Sequence, residues 1–301
     1  MEWTESLRKA ISYMEAHLLD NIGADDVAEA VNISSYYLQK GFGIMTGYSI
    51  GEYMRYRKLY LAALDVLAGK EKIIDIAYKY GYETPESFTK AFTRFHGESP
   101  TNIKKDAGRL KTFLPLRIVV QIQGGNEMDM TVEKMSEFRL IGFEKVFSTD
   151  DAYQRIPEFW EEFRVKYIVP LFFGGKKPEN EIEKLIANCC VGEFGASIDD
   201  LGEKGKFRYM IAGICGSEID ETKLPDGISV YEFPDMDWAK FRCVGAMPGA
   251  LQSVNTKIFK EWLPGNPDYE IAMYANLEWY TKGDMTSNDY ESGIWLPVKR
   301  K

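Results

Sequence analysis

Hydrophobic and polar residues follow two different periods along this chain. Up to about residue 105, apolar side chains return every three or four positions, the spacing of amphipathic helices. From about residue 130 they alternate or gather in short β-branched and aromatic runs, the spacing of strands, with two helical stretches among them. The pattern predicts a multidomain protein, an all-α part followed by an α+β part.

The helical part repeats itself. Ala28, Asn32, Phe42, Gly47 and Ser49 are answered by Ala77, Gly81, Phe92, Gly97 and Ser99, about 50 residues further on each time. Each copy reads as a short helix, a tight turn and a second helix. In the first, ADDVAEAV runs to Asn32, a residue that tolerates left-handed backbone, and Ser34 then caps a helix that turns Leu38 and Phe42 inward. In the second, IIDIAYKY stops at Gly81, and Thr84 with Pro85 supplies an N-cap and a first helical residue. Between the copies, GEYMRYRKLYLAALDVLAG reads as one helix offering Tyr53, Tyr56, Leu59, Leu64 and Leu67 for burial. Roughly 18 helical residues span about 27 Å, near the ~34 Å between successive major-groove faces of B-DNA. Two helix-turn-helix units so spaced suit one duplex read from one side.

The outward residues of each second helix fit that task. Tyr36, Tyr37, Gln39 and Lys40 lie off the Leu38/Phe42 face. Glutamine bonds bidentately to adenine, lysine reaches guanine or phosphate, and tyrosine packs on sugar or a thymine methyl. Glu86, Ser87, Thr89 and Lys90 hold the equivalent places in the second copy. Glu86 has two readings, an acceptor for a cytosine amino group or a cap on its own helix's first turn; repulsion from phosphate favours the cap. Arg55, Arg57, Lys58, Arg94, Lys104 and Lys105 are candidate phosphate anchors, with a solvated surface charge as the alternative for each.

From about Trp3 to Lys105 the chain resembles the DNA-binding domain of AraC-type transcription regulators, in its paired motifs, its bridging helix and the run from Gly81-Tyr82 to Phe88. The resemblance implies base contacts by Tyr36, Gln39 and Lys40 in the first motif and by Pro85, Glu86, Thr89 and Lys90 in the second. Lys40 stands where arginine is common, and Pro85-Glu86 where polar donors occur. These departures turn the second motif toward a phosphate clamp.

The strand-rich part is also doubled. Phe138-Arg139-x-x-Gly142 recurs as Phe241-Arg242-x-x-Gly245, and each is followed by an amphipathic helix, IPEFWEEFRVKYI and then LQSVNTKIFKEWL. Strand-like runs come after each helix: CCVGEFGAS and FRYMIAGICGS in the first copy, YEIAMYANLEWY and YESGIWLPV in the second. Duplicated strand-helix-strand-strand modules around an antiparallel sheet are expected, with a ligand groove where the halves meet. Alternation along YEIAMYANLEWY sets Ile271, Met273, Leu277 and Trp279 on one face and Tyr274, Asn276, Glu278 and Tyr280 on the other. A glutamate among tyrosines suits a cation; an ordinary half-exposed strand glutamate is the alternative.

From about Met130 to Val298 the chain resembles the gyrase-inhibitor-like effector domain of multidrug-sensing regulators, through the L-E-x-Y run at Leu277 to Tyr280 and a closing I-W-x-P. That resemblance makes Glu278 the ligand-contacting glutamate. Phe159, Trp160, Trp238, Tyr274 and Tyr280 are candidate aromatic walls, with core packing equally open for Trp160 and Trp262.

Charge divides in the same place. The net charge of -9 hides +1 on residues 1 to 125 and -10 on the rest, so the acidic partner restricts DNA attraction to a local basic face. The start MEWTESLRKA lacks the features of a signal peptide, no apolar run approaches a membrane span, and four cysteines without C-x-x-C spacing point to reduced thiols. A cytoplasmic protein is expected. The division expected is 1–107 for DNA binding, 108–127 as linker with a strand over Phe113 to Gln123 as an option, and 128–301 as effector domain.

The order of the two resemblances is that of Rob-like AraC regulators. It implies a ligand-responsive regulator whose partners are double-stranded DNA, a small lipophilic effector, cationic on the glutamate reading, and RNA polymerase, with no cofactor, metal, membrane or catalytic residue. A hydrolase fused to a DNA-binding domain and a protein-partner module remain as alternatives. Against a worked-out active site, His17 and His96 both lie in the helical half, and neither a G-x-S-x-G nor a phosphate-cradling glycine loop occurs.

Overall fold

The computed structural model describes residues 3–118 and 128–301, which fall into two compact units, one within each range. The first consists of α1 (Trp3–Ala16), α2 (Ala24–Ala30), α3 (Ser35–Thr46), α4 (Ile50–Ala68), α5 (Ile73–Lys79), α6 (Pro85–His96) and α7 (Pro100–Lys105). The sequence repeat is a repeat of backbone geometry. Asn32 (φ 54°) and Gly81 (φ 83°) both take the left-handed conformation. Their N–H groups donate back to Glu29 O (3.1 Å) and Tyr78 O (3.0 Å), while Ile33 and Tyr82 donate to Ala28 O (3.1 Å) and Ala77 O (3.0 Å). The next helix then starts on a hydroxyl: Ser34 Oγ accepts from Tyr37 N at 3.0 Å, Thr84 Oγ1 from Ser87 N at 3.1 Å.

Helix α4 bridges the two motifs. Tyr53 and Leu59 are buried as expected, Tyr56 and Leu67 are half-buried, and Leu64 is 40% exposed, contrary to expectation. Ala62, Ala63 and Val66 do the packing in its place, against Ile76 and Ala77 of α5, Phe88, Phe92 and Phe95 of α6, and Ile103 of α7. Small residues at that seam let the helices approach closely.

Arg57 is also inside. Its Nε and Nη2 donate to the two Glu15 oxygens at 2.8 Å each, and Nη1 donates to Phe113 O at 2.5 Å. Tyr53 donates its hydroxyl to the same carboxylate at 2.6 Å, and burial beside that charge raises the Tyr53 pKa well above its usual value. The guanidinium therefore ties α1, α4 and the chain after α7 together. Residues 110–118, placed in the linker by sequence, contain no strand, and Phe113 packs edge-on against Tyr48 (5.5 Å) and Tyr56 (5.5 Å). The rest of the optional strand, residues 119–123, lies outside the described residues.

The second unit is one antiparallel sheet of β1 (Met130–Met135), β2 (Phe138–Ser148), β3 (Phe194–Ile198), β4 (Lys206–Cys215), β5 (Ile228–Phe233), β6 (Met236–Val244), β7 (Tyr269–Ile271), β8 (Ala275–Tyr280) and β9 (Glu291–Arg300). The order is β1-β6-β9-β8-β3-β4-β2-β5, with β7 beside the far end of β9. Exchanging β1 with β5, β2 with β6, β3 with β8 and β4 with β9 reverses that order, so the duplication is a pseudo-two-fold about the β3–β8 pair. Two-residue links join β1 to β2 and β5 to β6, although each pair lies far apart in the sheet order. The sheet must curl to close those links, and its inner face buries Phe138, Phe233 and Trp238 together.

Two helices cover the outer face: α8 (Ala152–Phe163), continued as a π-helix over Arg164–Phe173, and, after the short α9 (Glu181–Asn188), α10 (Gly249–Lys257), continued by π turns over Ile258–Trp262. Phe163 and Tyr167 pack on Phe143, and Trp262 packs on Phe241. The two motif glycines serve different ends. A methyl at Gly142 would lie 2.1 Å from Ile211 O on the neighbouring strand, whereas Gly245 has φ 132°. The single strand expected over residues 269–280 is broken by a bend at 272–274.

Arg57→Met should destabilise the first unit by about 3 kcal/mol, because the Glu15 carboxylate and the Phe113 carbonyl lose their partner. Leu64→Ser, on the exposed side of the same helix, should stay within about 0.5 kcal/mol. Urea unfolding of the full chain followed by far-ultraviolet circular dichroism separates the two.

Candidate functional site

In the first unit the capped turns aim α3 and α6 outward. Tyr36, Gln39 and Lys40 lie half-exposed on α3, with the Lys40 ammonium 5.7 Å from the Tyr36 ring centre. Gln39 Nε2 donates to Ser35 Oγ at 3.1 Å, and Ser35 donates to Asp25, so the glutamine amide is held in place from α2. Tyr37 is not part of this face. It is 6% exposed and meets Trp3 of α1 edge-on at 5.6 Å, which corrects its assignment as a DNA contact. One helical turn carries 3.6 residues, and position 37 falls on the same inward side as Gly41.

On α6, Pro85, Glu86, Thr89, Lys90, Thr93 and Arg94 form one continuous stripe, with Glu86, Lys90 and Arg94 exposed. Thr84 occupies the N-cap, and Ser87 returns its hydroxyl to Thr84 O at 2.8 Å. Among the described residues Glu86 forms no hydrogen bond to the first turn, so the cap reading preferred from sequence does not hold. Arg55, Lys104 and Lys105 are exposed around the motifs, and Lys58 is half-buried, which lowers its pKa. Arg57 is withdrawn as a phosphate anchor by its ion pair with Glu15, whose side-chain exposures are 5% and 23%.

In the second unit α8 packs on β2 and α10 on β6 and β9, so the β3–β8 pair between them forms the floor of a groove on the helix-covered face. Gly195 pairs with Glu278 and Ser197 with Asn276, so all four point to the helix-covered face, as does Tyr209 opposite Ser197. Trp160 of α8 donates Nε1–H to the Tyr209 hydroxyl at 2.7 Å and meets Tyr280 edge-on at 5.4 Å. Tyr280 donates its own hydroxyl to Glu278 Oε2 at 2.7 Å. Burial, and the Glu278 charge after it, holds the Tyr280 pKa well above its usual value, so this phenol remains a donor. A carboxylate with aromatic neighbours on the floor of a groove offers a cation both charge pairing and ring contact.

Trp160, Glu278 and Tyr280 are thus brought together, and three other candidates are not. Trp238 is fully buried on the opposite, inner face. Phe159 is 6% exposed against Phe147, with Lys145 over its ring, so it is core. Tyr274 lies in the bend before β8, where burial and the charges of Asp199 and Glu270 raise its pKa. Tyr209 and Asn276 were missed as site residues. The alternation of FRYMIAGIC, which sets Phe207, Tyr209 and Ile211 on one face, carried the signal for Tyr209. No group of three or more His, Cys, Asp or Glu side chains able to hold a metal occurs among the described residues, and no helix there is long and apolar enough to cross a membrane.

A paired helix-turn-helix unit followed along the chain by a pseudo-symmetric α+β unit with Glu278 at its central seam defines the class by fold. Residues 131–298 match the family of integron-associated effector binding proteins, and residues 27–106 match a helix-turn-helix domain family. The chain belongs to the integron-associated effector binding proteins over that span, and its first part is an AraC-type helix-turn-helix domain. It is 30% identical over 104 residues to the regulatory protein SoxS of Salmonella typhimurium, covering 35% of this chain and 97% of that protein. It is 26% identical over 187 residues to the right origin-binding protein of Escherichia coli strain K12, covering 58% of this chain but only 62% of that relative's length. Among solved structures, SAV2435 bound to tetraphenylphosphonium is similar, with 23% identity, a TM-score of 0.43, and coverage of 57% and 94% of the two chains.

A methyl at Gly195 would lie 2.4 Å from the Tyr209 hydroxyl oxygen and 3.3 Å from the Trp160 ring. Gly195→Ala should therefore break the Trp160–Tyr209 hydrogen bond and shift tryptophan emission, at a stability cost of about 1–3 kcal/mol. Emission spectra and urea midpoints of the two proteins check both parts.

Proposed function

We propose that this chain is a ligand-responsive, sequence-specific DNA-binding transcription regulator, with a small lipophilic cation as effector. The observation that carries the reading is Glu278, set on the groove floor beside Trp160, Tyr209 and Tyr280, in a chain that also holds two matched helix-turn-helix motifs.

Tyr36, Gln39 and Lys40 read bases from α3. Pro85, Glu86, Thr89 and Lys90 face the groove from α6, where Glu86 is left to accept from a cytosine amino group. Arg55, Arg94, Lys104 and Lys105 hold phosphates and set register, while Ser87, its hydroxyl donated to Thr84 O, holds the start of α6. The 19 residues of α4, about 28 Å of helix, set the spacing of the two readers. In the second unit Glu278 supplies charge and the aromatic rings supply contact area. RNA polymerase is the partner through which promoter occupancy becomes output. Effector changes that output only by binding one state of the protein more tightly than another.

Arg94→Ala should weaken binding to specific and nonspecific duplexes alike and flatten the dependence of log affinity on log salt by about 1, whereas Gln39→Ala should relax sequence preference. Tyr37→Phe should alter neither. For the groove, Glu278→Gln should weaken tetraphenylphosphonium binding by roughly tenfold or more, read by tryptophan fluorescence of the full chain. Affinity unchanged by Glu278→Gln would sink the cation reading, and turnover of an activated small ester that stops in the same variant would replace it with a hydrolase.

A further inference from the structure

Next to Glu278 on the groove floor is a side chain with an unmet need. Asn276 is 5% exposed, yet its Oδ1 accepts no hydrogen bond from any described residue. Leaving a buried acceptor unpaired is costly, and a leucine has the same branched skeleton without that cost. Its neighbours on the strand, Ala275 and Leu277, are apolar and belong to the inner core, so the strand supplies apolar residues where packing alone is required.

The register settles where Asn276 points. It pairs with Ser197 as Glu278 pairs with Gly195, so both side chains rise from the same face of β8, with their Cα atoms one dipeptide repeat, about 6.8 Å, apart. The pseudo-two-fold gives this pair no polar counterpart of equal reach. Exchanging the halves about the Ala196–Leu277 pair puts Gly195 in the place of Asn276 and Ser197 in the place of Glu278. One half thus contributes two long polar arms, and the other a glycine and a short hydroxyl. The Tyr280 hydroxyl and the Trp160 N–H are already donated, to Glu278 and Tyr209. What the floor holds is a carboxylate and, one repeat away, a buried neutral acceptor that no described residue fills.

Building on the cation reading, we infer that Asn276 is a specificity-determining ligand contact, and that the effector is a cation carrying an N–H or O–H donor a few ångströms from its charge. An alkylammonium ion that bears an aromatic ring and an amide N–H or hydroxyl fits this description; an onium ion clothed only in hydrocarbon satisfies Glu278 and leaves Asn276 unpaired.

The test uses two probes of equal length on the full chain, followed by tryptophan fluorescence. 4-Phenylbutyltrimethylammonium carries charge and ring alone, and N-(2-trimethylammonioethyl)benzamide replaces two of its methylenes with an amide. The native chain should prefer the amide by about tenfold. Asn276→Leu should abolish that preference and leave the hydrocarbon probe within about twofold, while raising the melting temperature of the unliganded protein. Glu278→Gln should weaken both probes. A preference that survives Asn276→Leu, an equal loss of both probes in that variant, or a lower melting temperature would overturn the inference and leave the cation reading intact. If neither probe responds to Glu278→Gln, the cation reading itself fails.

Discussion

The antiparallel pairing of β3 with β8 is the constraint on which the second unit depends. It joins the two halves of a duplicated chain at their pseudo-two-fold, and five residue pairs fix its register, from Phe194 opposite Trp279 to Ile198 opposite Ala275. Because side chains alternate across a strand, that register decides two environments at once. Phe194, Ala196 and Leu277 go to the inner core, while Gly195, Ser197, Asn276 and Glu278 go to the groove. A slip of one residue would send Glu278 into the core and Leu277 to the groove. The fold and the chemistry of the site are therefore specified by the same hydrogen bonds.

The arrangement of rings over this seam depends on Gly195, which lacks a side chain. Opposite Glu278, this position gives the Trp160 and Tyr209 rings room to meet over the strand. The glutamate accepts a hydrogen bond from Tyr280 and is half-buried. A carboxylate and an unpaired carboxamide oxygen in a buried setting are poor choices for stability alone, and their clustering at one seam supports the proposed binding site.

In the first unit the equivalent organising element is the Arg57–Glu15 pair. A helical unit of this size has a modest core, and a buried guanidinium bonded to α1 and to the backbone at Phe113 locks the bridging helix against both ends of its unit. Holding α4 in this way holds the spacing of the two motifs, since α3 leads into its start and α5 follows its end. Stability and the reading geometry thus share one helix, with Ala62, Ala63 and Val66 facing the core of the second motif.

Much of this was legible in the chain itself. The Asn32/Gly81 turns, the Ser34 and Thr84 caps and the inward Phe42 and Phe92 are local features whose backbone hydrogen bonds depend on nearby residues, so the repeat predicted them residue by residue. Alternation placed Asn276, Glu278 and Tyr280 on one face for the same reason. What tertiary structure decided is which polar or aromatic residues are spent on packing. Tyr37 turned inward to Trp3, Arg57 to Glu15, Phe159 to Phe147 and Trp238 to the curled inner face, each because of a partner distant in sequence or on another element. Sequence periodicity reports the face of an element, and only packing reports what lies across from it. For that reason Tyr209, brought under Trp160 by strand pairing and helix docking together, became part of the site only in three dimensions.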